Sequence, residues 1–253
     1  YPFDQGANSI WYFNKEKGIY SFLLYPNGRI IQQNNRELDQ FTHKNVINNC
    51  VNVGPVFWGQ TFDTADTRSF ITRFDMNNRT AEIKYDLYEI FRNSGGFSSD
   101  CFNASMDGSF IKINDSSFLF YNYYSSYFLW FNDKEYKICA GIDSLPLRTF
   151  KKISSVVEGY QVERCIADNE NFVYLSGCSD GHYVYMLSNI SSKQVKEQRL
   201  IDVFYANDMR YRASYIVPRR HNSRPYGIAT DATSGSLYVT YDDNTLVKYI
   251  KPV

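Results

Sequence analysis

The feature that most constrains the fold is a group of three short strands and two tight turns near the end of the chain. Residues 225–250 read PYGIATDATSGSLYVTYDDNTLVKYI. Gly, Asp, Asn and Ser mark the turns, because they tolerate turn dihedrals or hydrogen-bond their own backbone. The strands are β-branched and aromatic with little polar alternation, which is typical of strands covered on both faces. A small sheet cannot bury both faces alone, so it needs similar sheets on either side.

Four earlier segments repeat this alternation of strands and turns, and nothing has the period of a long amphipathic helix. The modules recur about every fifty residues, near the upper end of the spacing between propeller blades. We therefore predict an all-β, five-bladed β-propeller that occupies residues 1–253 as a single domain, with six blades as the alternative. The five modules are residues 7–31, 51–87, 101–142, 164–200 and 225–250.

Composition and net charge limit the classes of partner that we expect for this chain. Aromatic residues make up 17 % of the 253 residues, with Tyr 22 and Phe 19. We interpret them as packing between blades, with a sugar-binding surface as the alternative. The formal net charge of +0 gives no general attraction for nucleic acid or an anionic membrane. No apolar run approaches the roughly twenty residues that span a bilayer.

Three features favour a secreted or extracellular location. The sequence begins at Tyr1 rather than Met, as after removal of a signal peptide or at a domain boundary. Its five cysteines allow two disulfides and one remaining thiol. Four sequons are candidate glycosylation sites, Asn78, Asn103, Asn114 and Asn189.

Placed on blades, all five cysteines are expected on one face of the propeller. Cys101 and Cys165 each open an innermost strand, and we predict a disulfide between them. The second predicted pair is Cys139 with Cys178. A soft metal held by thiols is the alternative, but cysteines without regularly spaced histidines are a poor zinc signature.

The sequence offers no strong catalytic motif. His43, His182 and His221 are each isolated, and neither a GxSxG elbow nor an HExxH helix is present. No glycine-rich phosphate loop leads from a strand into a helix. We therefore expect no enzyme activity and no cofactor.

One segment, residues 210–224, is strongly basic. We predict that it docks an acidic protein surface or an acidic glycan, because arginine suits bidentate recognition of anions. A solvated loop, or ion pairs with nearby acidic residues, is the alternative. The candidate binding residues are Arg210, Arg212, Arg219, Arg220, His221 and Arg224.

Several motifs occur in the order found in olfactomedin domains. The segment GGFSSD at 95–100, followed by Met106-Asp107-Gly108, resembles that family's GGFSDID segment. The ADT and ITRFDMNNRTAE segments within 54–87 and the closing DATSGSLYVTYDDNTLVKY resemble other blades of the domain. The resemblance implies an extracellular, non-catalytic five-bladed propeller that serves adhesion, matrix assembly or receptor binding.

The sequence differs from olfactomedin domains at the calcium site that the family commonly has in the central channel. Matching the segments puts Cys101 (or Asp100, after a one-residue slip), Cys165 and Ala229 at the positions of the calcium ligands. Calcium requires hard oxygen ligands, which thiols and an alanine do not supply. We therefore expect the calcium site to be lost and a Cys101–Cys165 disulfide to replace it.

The last module also resembles blades of NHL and gluconolactonase-like propellers, through Pro225, Gly227, Ile228, Ala229 and Asp231. This resemblance implies a metal-dependent lactonase or esterase as the alternative function. Such an enzyme needs acidic and amide ligands around a divalent metal. The residues available as ligands are Asn103, Asp168 and Asp231. The two aspartates are better explained as residues that form turns.

Overall fold

The computed structural model describes the backbone at residues 2–6, 9–14, 18–24, 30–36, 45–53, 56–63, 68–75, 78, 80–91, 106–142, 150–157, 159–167, 172–189, 198–231 and 234–250. Within these ranges, side chains are described from residue 49 onward, except at 63, 150 and 162–167. The chain divides into two compact units. Unit 1 is Tyr1–Met106 with Phe150–Cys165, and unit 2 is Asp107–Thr149 with Ile166–Val253.

Unit 1 contains two four-stranded antiparallel sheets whose strands follow chain order. Sheet I is β1 (Pro2–Gly6), β2 (Ser9–Asn14), β3 (Gly18–Leu24) and β4 (Ile30–Arg36). Sheet II is β5 (Asn45–Val53), β6 (Val56–Asp63), β7 (Ser69–Asp75) and β8 (Thr80–Asp86), followed by the short helix α1 (Leu87–Phe91). A two-stranded sheet joins β13 (Phe150–Val157) to β14 (Tyr160–Ala167), whose residues 166 and 167 fall in unit 2.

Unit 2 contains three further antiparallel sheets. Sheet III is β9 (Gly108–Lys112), β10 (Ser117–Asn122), β11 (Tyr127–Asn132) and β12 (Tyr136–Ala140). Sheet IV is β15 (Tyr174–Ser179), β16 (Tyr183–Ser188), β17 (Arg199–Tyr205) and β18 (Tyr211–Val217). Sheet V is β19 (Pro225–Asp231), β20 (Ser236–Tyr241) and β21 (Leu246–Ile250).

The turns form where the sequence places residues that hydrogen-bond their own backbone. In the β11–β12 turn, Asn132 Oδ1 accepts the N–H of Lys134 at 2.8 Å. In the β15–β16 turn, Asp180 Oδ1 accepts the N–H of His182 at 2.9 Å. These side-chain bonds replace ladder bonds that end at the turn, so the chain reverses at predictable positions.

The predicted fourth module is wrong in its strand assignment. The segment around Cys165 lies in β14, which pairs with β13 and not with β15. The predicted hairpin about residues 168–171 therefore does not join β14 to β15, although these four residues lie outside the described ones. Sheet IV instead begins at Tyr174 and includes β18, whose Arg and Ser residues dilute its apolar pattern.

Sheet IV buries side chains on both faces, and this explains its continuous apolar runs. Along β16, Val184 and Met186 belong to a core cluster shared with sheet III. Their neighbours Tyr185 and Leu187 belong to a second cluster shared with sheet V. The alternation follows from the two-residue period of a strand. Consecutive sheets of unit 2 are therefore stacked face to face, as blades are.

Aromatic rings fill the space between sheets III and IV. The Phe128 ring lies 5.2 Å from Tyr174 and 5.2 Å from Phe204, centroid to centroid. All three side chains are buried. These tilted and edge-to-face pairs are the favoured arrangements of aromatic rings in a core. The interpretation of these aromatics as packing between blades is confirmed here.

The chain thus has a nearly all-β, propeller-type fold of antiparallel sheets. The predicted number of blades and the single domain over residues 1–253 stay predictions. In the described ranges, α1 is the one helix, and it is far too short to cross a bilayer. Asp86 caps it, since its Oδ1 accepts the N–H of Tyr88 at 2.8 Å.

We predict that the fold is lost at alkaline pH. Burial raises the pKa of Tyr121, Tyr185 and Tyr241 above the ordinary value of about 10. In the unfolded chain these phenols ionise near pH 10, whereas in the fold they stay neutral. The free energy of unfolding is therefore unaffected by these groups below pH 10 and falls as the pH rises above it.

An alkaline titration tests this prediction, with tyrosine ionisation followed by absorbance at 295 nm and β structure followed by circular dichroism. The buried tyrosines should ionise together with the loss of β structure. Complete ionisation of all 22 tyrosines with the sheet signal intact contradicts the prediction.

Substitution of Gly108 by Ala tests the packing at the start of sheet III. A Cβ there would overlap the Tyr121 carbonyl oxygen and lie 2.7 Å from the Phe120 ring. Because the first of these atoms is backbone, the strands must separate, which costs about 1–3 kcal/mol of unfolding free energy. Urea unfolding measures the loss. Lys112→Ala in the same strand is the control, since it adds no atom between the strands and removes a partly exposed ion pair with Asp115 that is worth about 1 kcal/mol or less.

Candidate anion-binding surface

The structure divides the predicted basic patch between the two ends of β18. Arg210 and Arg212 lie at the start of the strand, whereas Arg219, Arg220, His221 and Arg224 follow its end. A seven-residue strand is about 20 Å long. The six residues therefore do not form one continuous surface.

Arg210 and Arg212 stack on aromatic rings of sheet IV. The Arg210 guanidinium lies 5.0 Å from the Tyr205 ring centroid, and that of Arg212 lies 4.6 Å from the Tyr183 ring. Arg210 also approaches Asp208, with 3.9 Å between Nε and Oδ2. These cation–π contacts lay both guanidinium groups over tyrosine rings of the sheet, and Arg210 stays largely exposed.

The other end carries a basic loop, residues 218–224, which folds back on itself. Arg220 and Ser223 exchange backbone hydrogen bonds of 3.1 and 2.8 Å. His221 sits at the exposed tip with a φ of 54°, a left-handed conformation that costs a residue with a Cβ about 1–3 kcal/mol. Arg219 donates from Nη2 to the Asn222 carbonyl at 3.2 Å. The loop therefore has a fixed shape and presents its side chains from a tight turn.

The β20–β21 turn holds the basic loop in place. Asp242 Oδ1 accepts the N–H of Arg224 at 3.0 Å, and Asp242 N–H donates to the Arg224 carbonyl at 3.1 Å. The Tyr241 hydroxyl donates to the Pro218 carbonyl at 3.0 Å and lies 2.8 Å from the Tyr249 hydroxyl. Because the Tyr241 side chain is buried in the core of sheet V, these bonds tie the loop to the fold.

The structure adds Arg199, which the sequence analysis missed. Arg199 pairs in register with Val217, so the first residue of β17 lies beside the end of β18. Its Nη1 donates to Asn189 Oδ1, and its buried Nε has no hydrogen-bond partner among the described residues. Burial lowers the pKa of Arg199, the nearby positive charge of Arg224 lowers it further, and Asp242 partly offsets both effects.

We call Arg199, Arg219, Arg220, His221 and Arg224 the basic site. Its nearby carboxylates are engaged in holding the loops. Asp243 accepts hydrogen bonds from Ser223 and Thr245, which hold its pKa below the usual range, and Asp242 bonds the backbone of Arg224. Among the residues that the structure describes, Arg220 and Arg224 form no ion pair. Two close guanidinium groups, those of Arg199 and Arg224, therefore share a region suited to an anion.

The cysteines are only partly described. Cys50 and Cys139 are free thiols. Cys139 packs against the cluster shared by sheets III and IV, whereas Cys178 packs against the cluster shared by sheets IV and V. The predicted Cys139–Cys178 disulfide is thus not formed in the structure. Cys178 also lies within β15, not in a loop. Cys101 and the Cys165 side chain lie outside the described residues, so that pairing stays a prediction.

Two of the predicted glycosylation sites lie in exposed turns. Asn78 follows β7, and Asn114 lies between β9 and β10. Asn189 is half-buried, directly follows β16 and accepts a hydrogen bond from Arg199. Asn103 lies outside the described residues.

No metal site is evident in the described part of the chain, where no three His, Cys, Asp or Glu residues are grouped to hold an ion. Ala229 is exposed in β19, and Asp231 ends that strand rather than lying in a turn. Asp168 and His43 lie outside the described residues. His182 and His221 lie at opposite ends of sheet IV, so the fold does not bring them together.

No family model matches the sequence, and no curated protein is significantly similar to it. Solved structures of similar fold include a chain of a nidogen/laminin complex, at 12 % identity over 93 % of this chain and 70 % of that chain, with a TM-score of 0.46. A luciferin-regenerating enzyme matches at 8 % identity over 96 % of this chain and 71 % of that chain, with a TM-score of 0.47.

The Swd1 β-propeller domain from Myceliophteria thermophila matches at 8 % identity over 96 % of this chain and 67 % of that chain, with a TM-score of 0.44. None of these three structures is described as an olfactomedin domain. At such identities and TM-scores, they say nothing about the function of this chain.

We predict that Tyr241→Phe loosens the basic loop. The change removes the bond to Pro218 and the bond to Tyr249, so the free energy of unfolding should fall by about 1 kcal/mol. Hydrogen exchange at the Arg220 and Ser223 amides should accelerate. Tyr249→Phe is the matched control, since it leaves the Pro218 bond intact. Equal exchange in both variants contradicts the anchoring role of Tyr241.

Proposed function

We propose that this protein is an extracellular, non-catalytic interaction module of olfactomedin-like type that binds an acidic segment of a partner protein through the basic site. Adhesion, matrix assembly or receptor recognition is the process it serves. The observation that carries the proposal is the charge imbalance at the end of sheets IV and V. Among the described residues, four guanidinium groups gather there, while the two adjacent carboxylates, those of Asp242 and Asp243, hold the loops together.

The shape of the basic site supports a carboxylate ligand. Guanidinium groups form paired, parallel hydrogen bonds to carboxylates, and these bonds are stronger and more directional than those between neutral groups. The backbone bonds of the loop fix its geometry before any ligand arrives, which reduces the entropy lost on binding.

The small extent of the site favours a protein segment over a long sulfated glycan. The other two arginines of the basic segment lie about 20 Å away, at the far end of β18, and cover tyrosine rings. The described residues of sheet IV therefore form no continuous basic stripe for an extended polyanion to follow. A short acidic loop needs only the compact group of charges that surrounds Arg224.

The extracellular part of the proposal rests on the sequons. The exposed turns that carry Asn78 and Asn114 leave room for attached glycans. Secretion from cultured cells, with a mass shift on removal of N-linked glycans, is the expected result. A protein that stays inside the cell and unmodified contradicts this part of the proposal.

Binding of a fluorescent oligoglutamate peptide tests the acidic ligand. We predict measurable affinity at low salt that falls steeply as salt is added, because exposed charges are screened. The double variant Arg220→Gln/Arg224→Gln should bind roughly tenfold more weakly or worse. Fluorescence anisotropy measures both effects.

The matched control is Arg210→Gln/Arg212→Gln, which removes the same net charge at the other end of sheet IV. An equal loss in both double variants means that only overall charge matters, and the basic site is then not the binding surface. Binding to heparin but not to oligoglutamate overturns the protein partner in favour of a sulfated glycan.

A further inference from the structure

Among the strands that the structure describes, sheet V has three, whereas the other large sheets have four. In sheets II, III and IV the third strand is β7, β11 or β17, and each is covered along its outer edge by a further strand, β8, β12 or β18. In sheet V the third strand is β21, and among the described strands only β20 pairs with it. Within the described part of the chain, the outer edge of β21 therefore presents backbone N–H and C=O groups without a sheet partner.

Side-chain burial also distinguishes β21 from the third strands of the other sheets. The third strands of the other sheets carry fully buried residues, including Ile71, Phe128 and Phe204. In β21 no residue is buried, and Leu246 and Ile250 are 60 % and 87 % exposed. Large apolar residues at this level of exposure, on an open sheet edge, are typical of a surface that another chain covers.

The register defines what this surface can recognise. Leu246, Lys248 and Ile250 share one face of β21, since they alternate with Val247 and Tyr249. The latter two pack against the core between sheets IV and V. The Lys248 ammonium lies 6.0 Å from the Tyr238 ring centroid, so the positive charge stays at the middle of the exposed face. The face thus reads apolar, positive, apolar along the strand.

We propose that β21 receives an extended segment of a partner protein, which adds antiparallel to it as the fourth strand of sheet V. The partner segment places an acidic residue opposite Lys248 and an apolar residue two positions away on either side, opposite Ile250 and Leu246. Backbone hydrogen bonds supply affinity, and the alternating side chains supply specificity. The surface does not include the basic site, so the two proposals can fail separately.

Two synthetic peptides test this proposal. The first is acetyl-Thr-Val-Thr-Glu-Thr-Val-Thr-amide, and the second has Lys in place of Glu. Titration followed by NMR should show binding of the Glu peptide and slower hydrogen exchange at the β21 amides that point away from β20. The Lys peptide should bind roughly three- to tenfold more weakly, because opposite charges across a strand pair attract and like charges repel.

A charge exchange makes the test specific. Lys248→Glu should reverse the preference, so that the Lys peptide binds better by a similar factor. The matched control is Lys137→Glu in β12. The Lys137 ammonium also lies over an aromatic ring, 5.0 Å from the Trp130 ring centroid. β12 is also an outer strand, but Lys137 alternates with the exposed Tyr136 and Ile138, so its face lacks the apolar, positive, apolar order of β21. The control should keep the preference of the unmodified protein for the Glu peptide.

Three results overturn the proposal. If neither peptide slows exchange in β21, Lys248 serves only to protect an open edge from association. If Lys137→Glu changes the preference as much as Lys248→Glu does, the peptides bind by charge alone. If light scattering shows a dimer that Leu246→Lys dissociates, the occupant is a second copy of this chain.

Discussion

Unit 2 depends on the burial of both faces of sheet IV. A strand presents successive side chains to opposite faces, so β16 must place Val184 and Met186 against one sheet and Tyr185 and Leu187 against another. Neither face can be left to water without losing a large apolar contribution to stability. The neighbouring sheets are therefore fixed on each side of sheet IV, and so are the positions of the loops at its ends.

The basic site follows from this constraint. With sheet V packed on sheet IV, the β18–β19 connection must pass from one sheet to the other beside the β20–β21 turn. Tyr241 links the core to this connection, because its ring is buried between the sheets while its hydroxyl bonds the Pro218 carbonyl. Asp242 of the turn completes the attachment through the Arg224 backbone. The positions of the guanidinium groups thus derive from apolar packing several residues away.

Local chemistry in the sequence was enough to predict sheets and turns, but not which strands pair. Asn132 and Asp180 act within three residues of themselves, so their turns could be predicted from the sequence. The segment around Cys165 has the pattern of a strand, yet its partner is a matter of long-range packing, and β14 pairs with β13. The basic segment looks like a loop because Arg212 and Ser214 interrupt its apolar residues, whereas pairing with β17 makes it β18. Arg199 could not be assigned to the site, since only the register with Val217 brings it there.

The same turn that holds the basic loop also begins β21, and this places the two proposed binding surfaces next to each other. Asp242 bonds Arg224, and Leu246 starts the open strand four residues later. A segment that runs antiparallel to β21 from Ile250 towards Leu246 therefore leaves the sheet on the side of the basic loop. Two weak contacts made by one partner chain act at a high effective concentration when a short linker joins them. An acidic stretch that follows the added strand would reach the guanidinium groups at little further cost in entropy, so modest contacts at each surface are sufficient for specific binding.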